Sequence, residues 1–234
     1  MSLLLGCAGW SLPRSHADRF PGEGTHLARY SQVLDAVEIN SSFYRPHRPA
    51  TYARWAQSVP AEFRFSVKIP KQITHLARLN DCAALLDEFL DQCTALGTRL
   101  GCLLVQLPPS LHYQPQVAEG FFTALRERYS GAVALEPRHA SWLQAQPLLI
   151  EQRIARVAAD PSPIAAGDAP GGWDGFEYWR LHGSPRIYYS AYGQEYLQRL
   201  IERLPTDRPV WVIFDNTAGG EAVGDALLLK QLAC

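Results

Sequence analysis

Six charged side chains, a glutamine, a histidine and two asparagines recur at one place in this chain, late in short apolar runs. They are Glu38, Asn40, Lys68, Gln106, Glu136, Arg138, Asp160, Arg180, His182 and Asn216. Two carboxylates beside a lysine and a histidine can divide into general acid and general base by environment. That assigns catalytic roles to Glu38, Lys68, Glu136 and His182. Arg138 and Arg180 can fork onto a phosphate or carboxylate, because a guanidinium matches those oxygens at two points. With Asn40, Gln106 and Asn216 they form a candidate substrate-binding set. Trp10 and Tyr44 are expected to wall the pocket with Trp142 and Tyr113, and His75 to line it.

The runs that carry these residues are Leu3–Ala8, Ala36–Asn40, Arg64–Ile69, Cys102–Leu107, Ala132–Glu136, Ile154–Ala159, Tyr178–His182 and Val210–Asn216. Eight runs in 234 residues give about 29 per unit, close to the roughly 30 of one strand-plus-helix repeat. Helical patterns fall between them at Leu27–Leu34, Thr51–Gln57, Ala83–Leu96, Gln116–Tyr129, Ser141–Gln152, Glu195–Leu204 and Ala222–Gln231. Asp81 is placed as the N-cap of the third. Residues 161–177 are rich in Pro and Gly and carry no helical period. The expectation is a single α/β domain over 1–234: a TIM-like (β/α)8 barrel of eight parallel strands and about seven helices. The competing open doubly wound sheet lacks a glycine-rich phosphate loop after its first strand.

Alternate strand residues point to opposite faces. Val37 and Ile39 oppose Glu38 and Asn40, and Trp179 and Leu181 oppose Arg180 and His182. A face packed on helices must be apolar, so the polar face looks inward. Its members sit late in their strands, at the end where this fold keeps its active sites. The competing reading is a closed ionic layer whose charges neutralise one another. A ligand-site carboxylate is expected to be poorly satisfied without its ligand. On that premise Glu136→Gln is expected to change stability by less than about 1 kcal/mol.

Lysine and arginine total 22 against 23 acidic residues, a net charge of −1, which gives no basic excess for nucleic acid. The cysteines Cys7, Cys82, Cys93, Cys102 and Cys234 show no metal or redox spacing, as reduced thiols of a cytoplasmic protein would. Cys7 has the helix-facing parity and is expected to be inert. Leu4-Leu5-Gly6-Cys7 imitates a lipoprotein cleavage site without the apolar run or basic residues of a signal peptide. No stretch is long enough for a membrane helix. His75 and His139 with Glu38, Glu136 and Asp160 could assemble a divalent-metal site of the His and carboxylate kind. No short-range ligand spacing supports it, so no cofactor is expected.

Several ordered motifs resemble the YecE-like family, a domain of unknown function. They are Gly6-Cys7-Ala8-Gly9-Trp10-Ser11, Val37-Glu38-Ile39-Asn40-Ser41-Ser42-Phe43-Tyr44, Phe65-Ser66-Val67-Lys68 and Ile73-Thr74-His75. Gln106-Leu107-Pro108-Pro109-Ser110, Glu136-Pro137-Arg138-His139, Ser141-Trp142, Arg180-Leu181-His182-Gly183 and Phe214-Asp215-Asn216-Thr217 follow in the same order. The resemblance implies a TIM-like barrel and no established activity. A looser likeness, at fold level only, links such barrels to sugar isomerases and to DNA-repair enzymes of the endonuclease IV type. This chain departs from the family pattern at Pro137, which removes a ladder donor, and at Arg19-Phe20-Pro21. The leading expectation is an enzyme, a hydrolase, lyase or isomerase, acting on a small polar, phosphorylated or carboxylated substrate. The alternatives are a nucleic-acid-binding barrel and a non-catalytic ligand-binding protein. Oligomeric state is not legible.

Overall fold

A computed structural model describes residues 2–233. Ten strands form one nearly closed, barrel-like sheet in the order β7-β9-β10-β1-β2-β3-β4-β5-β6-β8. They are β1 (Leu3–Ala8), β2 (Ala36–Ile39), β3 (Arg64–Lys68), β4 (Leu100–Gln106), β5 (Val133–Glu136), β6 (Ile154–Arg156), β7 (Ala158–Asp160), β8 (Gly171–Gly172), β9 (Glu177–Leu181) and β10 (Val210–Phe214). All ladders are parallel except β6 with β8. Every apolar run read from the sequence is a strand. The expected count of eight is corrected to ten, because the sixth run breaks at Val157 and a two-residue strand is added.

The break has a structural cause. Ile154–Arg156 pairs with β5 on one side and with β8 on the other. Ala158–Asp160 then pairs with β9. The Val157 N–H donates to Leu135 O at 2.8 Å. One continuous stretch thus ties β5 to β9 and brings the sheet round on itself. The 161–177 segment contains no helix, as its composition predicts, and supplies β8 instead.

Helices cover the outer face: α1 (His26–Tyr30), α2 (Ser41–Tyr44), α3 (Pro49–Gln57), α4 (Ala83–Cys93), α5 (Pro115–Arg128), α6 (Gln146–Glu151), α7 (Gln194–Arg203) and α8 (Glu221–Ala233). The N-cap of α4 is Cys82 rather than the expected Asp81, whose φ of 49° turns it out of the capping position. No helix among the described residues is long and apolar enough to cross a membrane.

Strand parity separates two apolar cores. Val37, Ile39, Phe65, Val67, Leu103, Val105, Leu135, Val212 and Phe214 pack against helices. Ala36, Cys102, Leu104, Ala134, Val157, Tyr178, Trp211 and Ile213 fill the barrel axis. Small residues beside Tyr178 and Trp211, which stack at 5.7 Å and 12°, let the aromatic rings fit a narrow interior. Above this layer the inward positions turn polar.

Between β1 and β2 the ladder admits a side chain from α1. The Cys7 N–H donates to Tyr30 Oη at 2.8 Å, and that hydroxyl donates to Ala36 O at 2.9 Å. Gly6 makes this possible, since a Cβ there would lie 1.9 Å from Ala36 O and 3.0 Å from Tyr30 Oη. Backbone cannot yield as a flexible side chain does. Gly6→Ala is therefore expected to cost about 3 kcal/mol or more in chemical denaturation. Gly120→Ala, in an exposed turn of α5 with open space at its Cβ, should stabilise by about 0.5–1 kcal/mol. Equal effects at both glycines would refute the packing argument.

Candidate functional site

Arg180, at the end of β9, is completely buried with its guanidinium on the barrel axis. Its Nε donates to Glu38 Oε2 at 3.0 Å and its Nη2 to Glu38 Oε1 at 2.7 Å, a two-point fork. Nη2 also reaches Asp215 Oδ2 at 3.0 Å, and Nη1 donates to Glu136 Oε2. Three carboxylates from β2, from the end of β5 and from the turn after β10 thus close on one cation. Around them lies a second shell of donors. Tyr178 Oη donates to Glu38 Oε2 at 2.8 Å, and its hydroxyl is 2.8 Å from that of Ser66. Gln106 Nε2 and Arg138 Nε donate to Glu136 Oε1 at 3.0 and 2.9 Å.

His182 lies between two of the carboxylates, its Nδ1 3.0 Å from Asp215 Oδ2 and its Nε2 3.6 Å from Glu136 Oε1. Burial favours the neutral ring, but Glu136 and Asp215 outweigh it and raise the imidazole pKa above its ordinary value. Burial likewise pushes the Glu136 and Asp215 carboxyls up. Arg180 and His182 reverse this and hold both below the usual carboxylate range, Glu136 well below it.

Lys68, at the end of β3, is different. It is 7% exposed, and its ammonium sits 4.3 Å from the centroid of the Phe43 ring. Among the described residues its ammonium makes no hydrogen bond or ion pair. Burial, with Arg180 nearby, lowers its pKa to about 8 against the opposing pull of Glu38, Glu136 and Asp215. His75, in a wide π-type turn over Gln72–Leu76, packs edge-on to Phe43 at 4.9 Å with Nδ1 2.8 Å from Thr74 Oγ1. Burial, Lys68 and Arg138 lower its pKa. Arg138 returns to the mouth although Pro137 ends β5 at Glu136. Its side chain is 22% exposed, and its Nη2 lies 3.5 Å from Tyr188 Oη.

Glu38, Lys68, Gln106, Glu136, Arg138, Arg180 and His182 are therefore brought to one end of the barrel, with His75 beside them. Asn40 follows Glu38 there, its Oδ1 buried without a partner. Asn216 and Asp160 are not part of this set. Asn216 shares the parity of Val210, Val212 and Phe214, which faces the helices. Its Nδ2 donates to Asp225 Oδ2 at 2.6 Å and to Ser190 O at 2.9 Å. Asp160 points outward too and accepts from Tyr192 Oη at 3.0 Å. Asn216 closes its run and Asp160 directly follows the sixth, positions that do not fix a face. The inward residue of the last strand is Asp215, by the same alternation: Trp211, Ile213, Asp215.

Trp10 packs edge-on against Trp55 at 5.1 Å, and Tyr44 is 65% exposed beside Phe43. The space beside Gly183 holds Ser190 O and Asn216 Cβ. His139 pairs with Ser141 Oγ at 2.8 Å and packs on His112. With Asp160 turned away and Glu38 and Glu136 bound to Arg180, the proposed metal set is dispersed. No group of three or more His, Cys, Asp or Glu suited to a metal occurs among the described residues. Cys7 is buried and its thiol is pushed up to about 12, first by burial, which leaves no thiolate for chemistry. A cavity of about 620 Å³ opens at the opposite end of the barrel beside Leu4, Trp173, Phe176 and Trp211. It contains none of the convergent titratable groups.

A barrel-like α/β sheet with polar side chains converging at the strands' C-terminal ends defines the class of protein. The chain belongs to the family described as Protein of unknown function DUF72, which matches residues 4–234. The UPF0759 protein YunF of Bacillus subtilis is 22% identical over 98% of this chain and 94% of its own length. The UPF0759 protein YecE of Escherichia coli is 36% identical over 84 residues, which span 36% of this chain and 31% of that protein. A DUF72 family protein from Thermotoga maritima superposes with a TM-score of 0.80 at 24% identity, over 99% of both chains. One from Enterococcus faecalis gives 0.80 at 20%, over 99% of this chain and 95% of that one. These two likenesses are of fold.

Glu136 is saturated by Arg180, Arg138 and Gln106 and faces His182, which overturns the premise that it lacks partners. Two buried charges should then respond oppositely. Glu136→Gln leaves Arg180 undercompensated and is expected to cost about 3–5 kcal/mol. Lys68→Met removes a desolvated, unpaired ammonium and should stabilise by about 1–3 kcal/mol at neutral pH. Because the folded lysine pKa is depressed, its penalty is complete below about pH 8 and fades toward the ordinary lysine value near 10.4. The gain from Lys68→Met should shrink over that window in urea titrations. Destabilisation by Lys68→Met would contradict this reading of the ammonium.

Proposed function

We propose that this chain is an enzyme performing acid–base chemistry on a small polar, anionic substrate held at the C-terminal mouth of its barrel. The sheet is read as a TIM-like (β/α)8 barrel in which β6 and β7 count as one strand and the two-residue antiparallel β8 is an addition to the eight. That reading supports the mouth as the active end. The observation that carries the proposal lies at the rim of the cluster, where the Lys68 ammonium has no ion-pair partner among the described residues and Arg138, bound to Glu136 through Nε, keeps part of its guanidinium unengaged by carboxylate. Glu38, Glu136 and Asp215 face Arg180, Arg138 and Lys68, so a protonated His182 leaves one positive charge in excess. An anion completes the balance.

The roles divide by environment. Glu38 and Glu136, bound tightly to Arg180, act as anchors that orient the cationic groups. His182, its pKa raised between two carboxylates, is the proton donor. Lys68, its pKa lowered to about 8, holds a usable fraction of free amine near neutrality and is the base. Two groups moved toward the working pH from opposite sides make an acid–base pair. Arg138 takes the substrate's phosphate or carboxylate through the guanidinium nitrogens that Glu136 does not engage. Asn40, with an unpaired buried oxygen, and His75 contribute polar contacts. The buried thiols Cys7, Cys82, Cys93 and Cys102, none in a disulfide, support a reducing, cytoplasmic setting.

Inorganic phosphate tests the anion site directly. At about a hundredfold over its Kd it should stabilise by about 2.7 kcal/mol, read as a rise of several degrees in Tm. Arg138→Gln should abolish the rise. Arg199→Gln, on the exposed face of α7, should keep it. An undiminished phosphate shift in Arg138→Gln would remove the anion site from the mouth.

A further inference from the structure

Lysine is scarce here. The chain has Lys68, Lys71 and Lys230 against nineteen arginines, so arginine carries nearly all the positive charge. Arginine serves a permanently charged, forked contact better than lysine does, as Arg180 illustrates. What lysine alone offers is a nitrogen that can lose its proton and attack. The lysine that faces the barrel axis lies over an aromatic ring, is buried, and makes no ion pair among the described residues. Lys230 instead donates to Val33 O and lies 3.5 Å from Asp35.

We infer that Lys68 is a covalent nucleophile that forms an imine with the carbonyl carbon of a small anionic aldehyde or ketone. This rests on the acid–base reading above and narrows its substrate to carbonyl compounds bearing a carboxylate or phosphate. The Nζ lone pair attacks the carbonyl carbon, and the π electrons move to the oxygen, which takes a proton from the acid His182. The adduct nitrogen returns one proton to the now neutral His182, and His182 passes it to the hydroxyl, which leaves as water as the freed nitrogen lone pair forms the C=N bond of the protonated imine. Amine plus carbonyl gives imine plus water, with no oxidant or metal in the balance. The protonated imine then draws electrons from the neighbouring carbon, as a lyase or isomerase requires.

The surroundings suit that step. Phe43 from α2 gives Nζ an apolar platform, and Ser42 Oγ donates to Lys68 O at 2.7 Å, fixing the strand end. The groups facing the amine are Glu38 from β2, Glu136 from β5, Arg180 from β9, Asp215 after β10, and His75 on its own loop. The carboxylates would hold the proton on Lys68, but Arg180 neutralises them in place. Burial and the guanidinium then favour the free amine. Arg138 binds the anionic end of the carbonyl compound and leaves Nζ to its reactive end.

The test is reductive trapping of the full-length protein with glyoxylate, the smallest anionic aldehyde, and sodium cyanoborohydride, followed by peptide mass mapping. The expected adduct on Lys68 has the mass of the aldehyde less one oxygen atom. Near neutral pH, Lys68 should be labelled ahead of Lys71 and Lys230, and on the order of a hundredfold faster than the side chain of Nα-acetyl-lysine added as a reference, from the free-amine fractions that a pKa of about 8 and the ordinary lysine value near 10.4 imply. Its rate should level off above about pH 8 while that of the reference amine keeps climbing. Lys68→Arg, which retains the cation, should lose the fast adduct. Labelling of Lys68 no faster than the other two lysines overturns the inference. Phosphate stabilisation without a fast Lys68 adduct keeps the anion site and overturns the imine. A fast adduct without phosphate stabilisation keeps the imine and overturns the anion site.

Discussion

A guanidinium removed completely from water must be matched on every side, and the structure is arranged around that requirement at Arg180. Desolvating such an ion costs several kcal/mol, which only well-aligned carboxylates repay. Glu38 offers both oxygens, and Glu136 and Asp215 one each. These partners come from β2, β5 and the end of β10, strands spread round the sheet. The cluster therefore constrains the register of the whole barrel. A one-residue slip of any of these strands would turn its carboxylate out toward the helices and an apolar residue in. The Gly6–Tyr30 insertion between β1 and β2 and the broken sixth run are local departures that this closure tolerates.

With Arg180 satisfied, the Glu136 and Asp215 carboxyls are held below their usual range, and Lys68 and Arg138 lie beside this cluster. Lys68 is buried over Phe43 without an ion-pair partner among the described residues, and Arg138 is held by Glu136 with part of its fork unengaged. The fold stabilises a floor of paired charge and leaves unpaired charge on top. Such residual discomfort lowers stability without a ligand and is characteristic of sites built to bind one. The large cavity at the other end, lined by aromatic rings, lacks this combination.

Much of this was legible from alternation alone. Glu38, Lys68, Gln106, Glu136, Arg180 and His182 were found because helix-packed faces must be apolar, leaving only one direction for a polar residue. The same rule, applied to Val210–Asn216, selects Asp215. Asn216 closes its run and Asp160 directly follows the sixth, so position alone does not tell their face, and both turn outward to Asp225 and Tyr192. The split of the sixth run depends on β8 and β9, partners distant in sequence, so no local pattern announces it. Nor does composition reveal which carboxylates Arg180 takes, and hence that Lys68 is the cation left without one. That follows only from three-dimensional pairing.

The central claim is that Arg180 neutralises a cluster of ionised, buried carboxylates, and Arg180→Met measures it through pH. In wild type the carboxyl pKa values of Glu136 and Asp215 are depressed, so the stability they contribute is present above their unfolded pKa values and lost as acid protonates them. Without the guanidinium, burial raises those pKa values instead, and the variant loses stability as pH rises through them. Groups common to both proteins largely cancel in the difference. Denaturation of the two at about pH 7 and about pH 4 should show a large deficit for Arg180→Met at neutrality that narrows by several kcal/mol in acid. A variant unfolded at neutral pH that regains its near-ultraviolet circular dichroism in acid is the same result. A deficit of equal size at both pH values would mean that the cluster is not an assembly of ionised carboxylates held by one arginine.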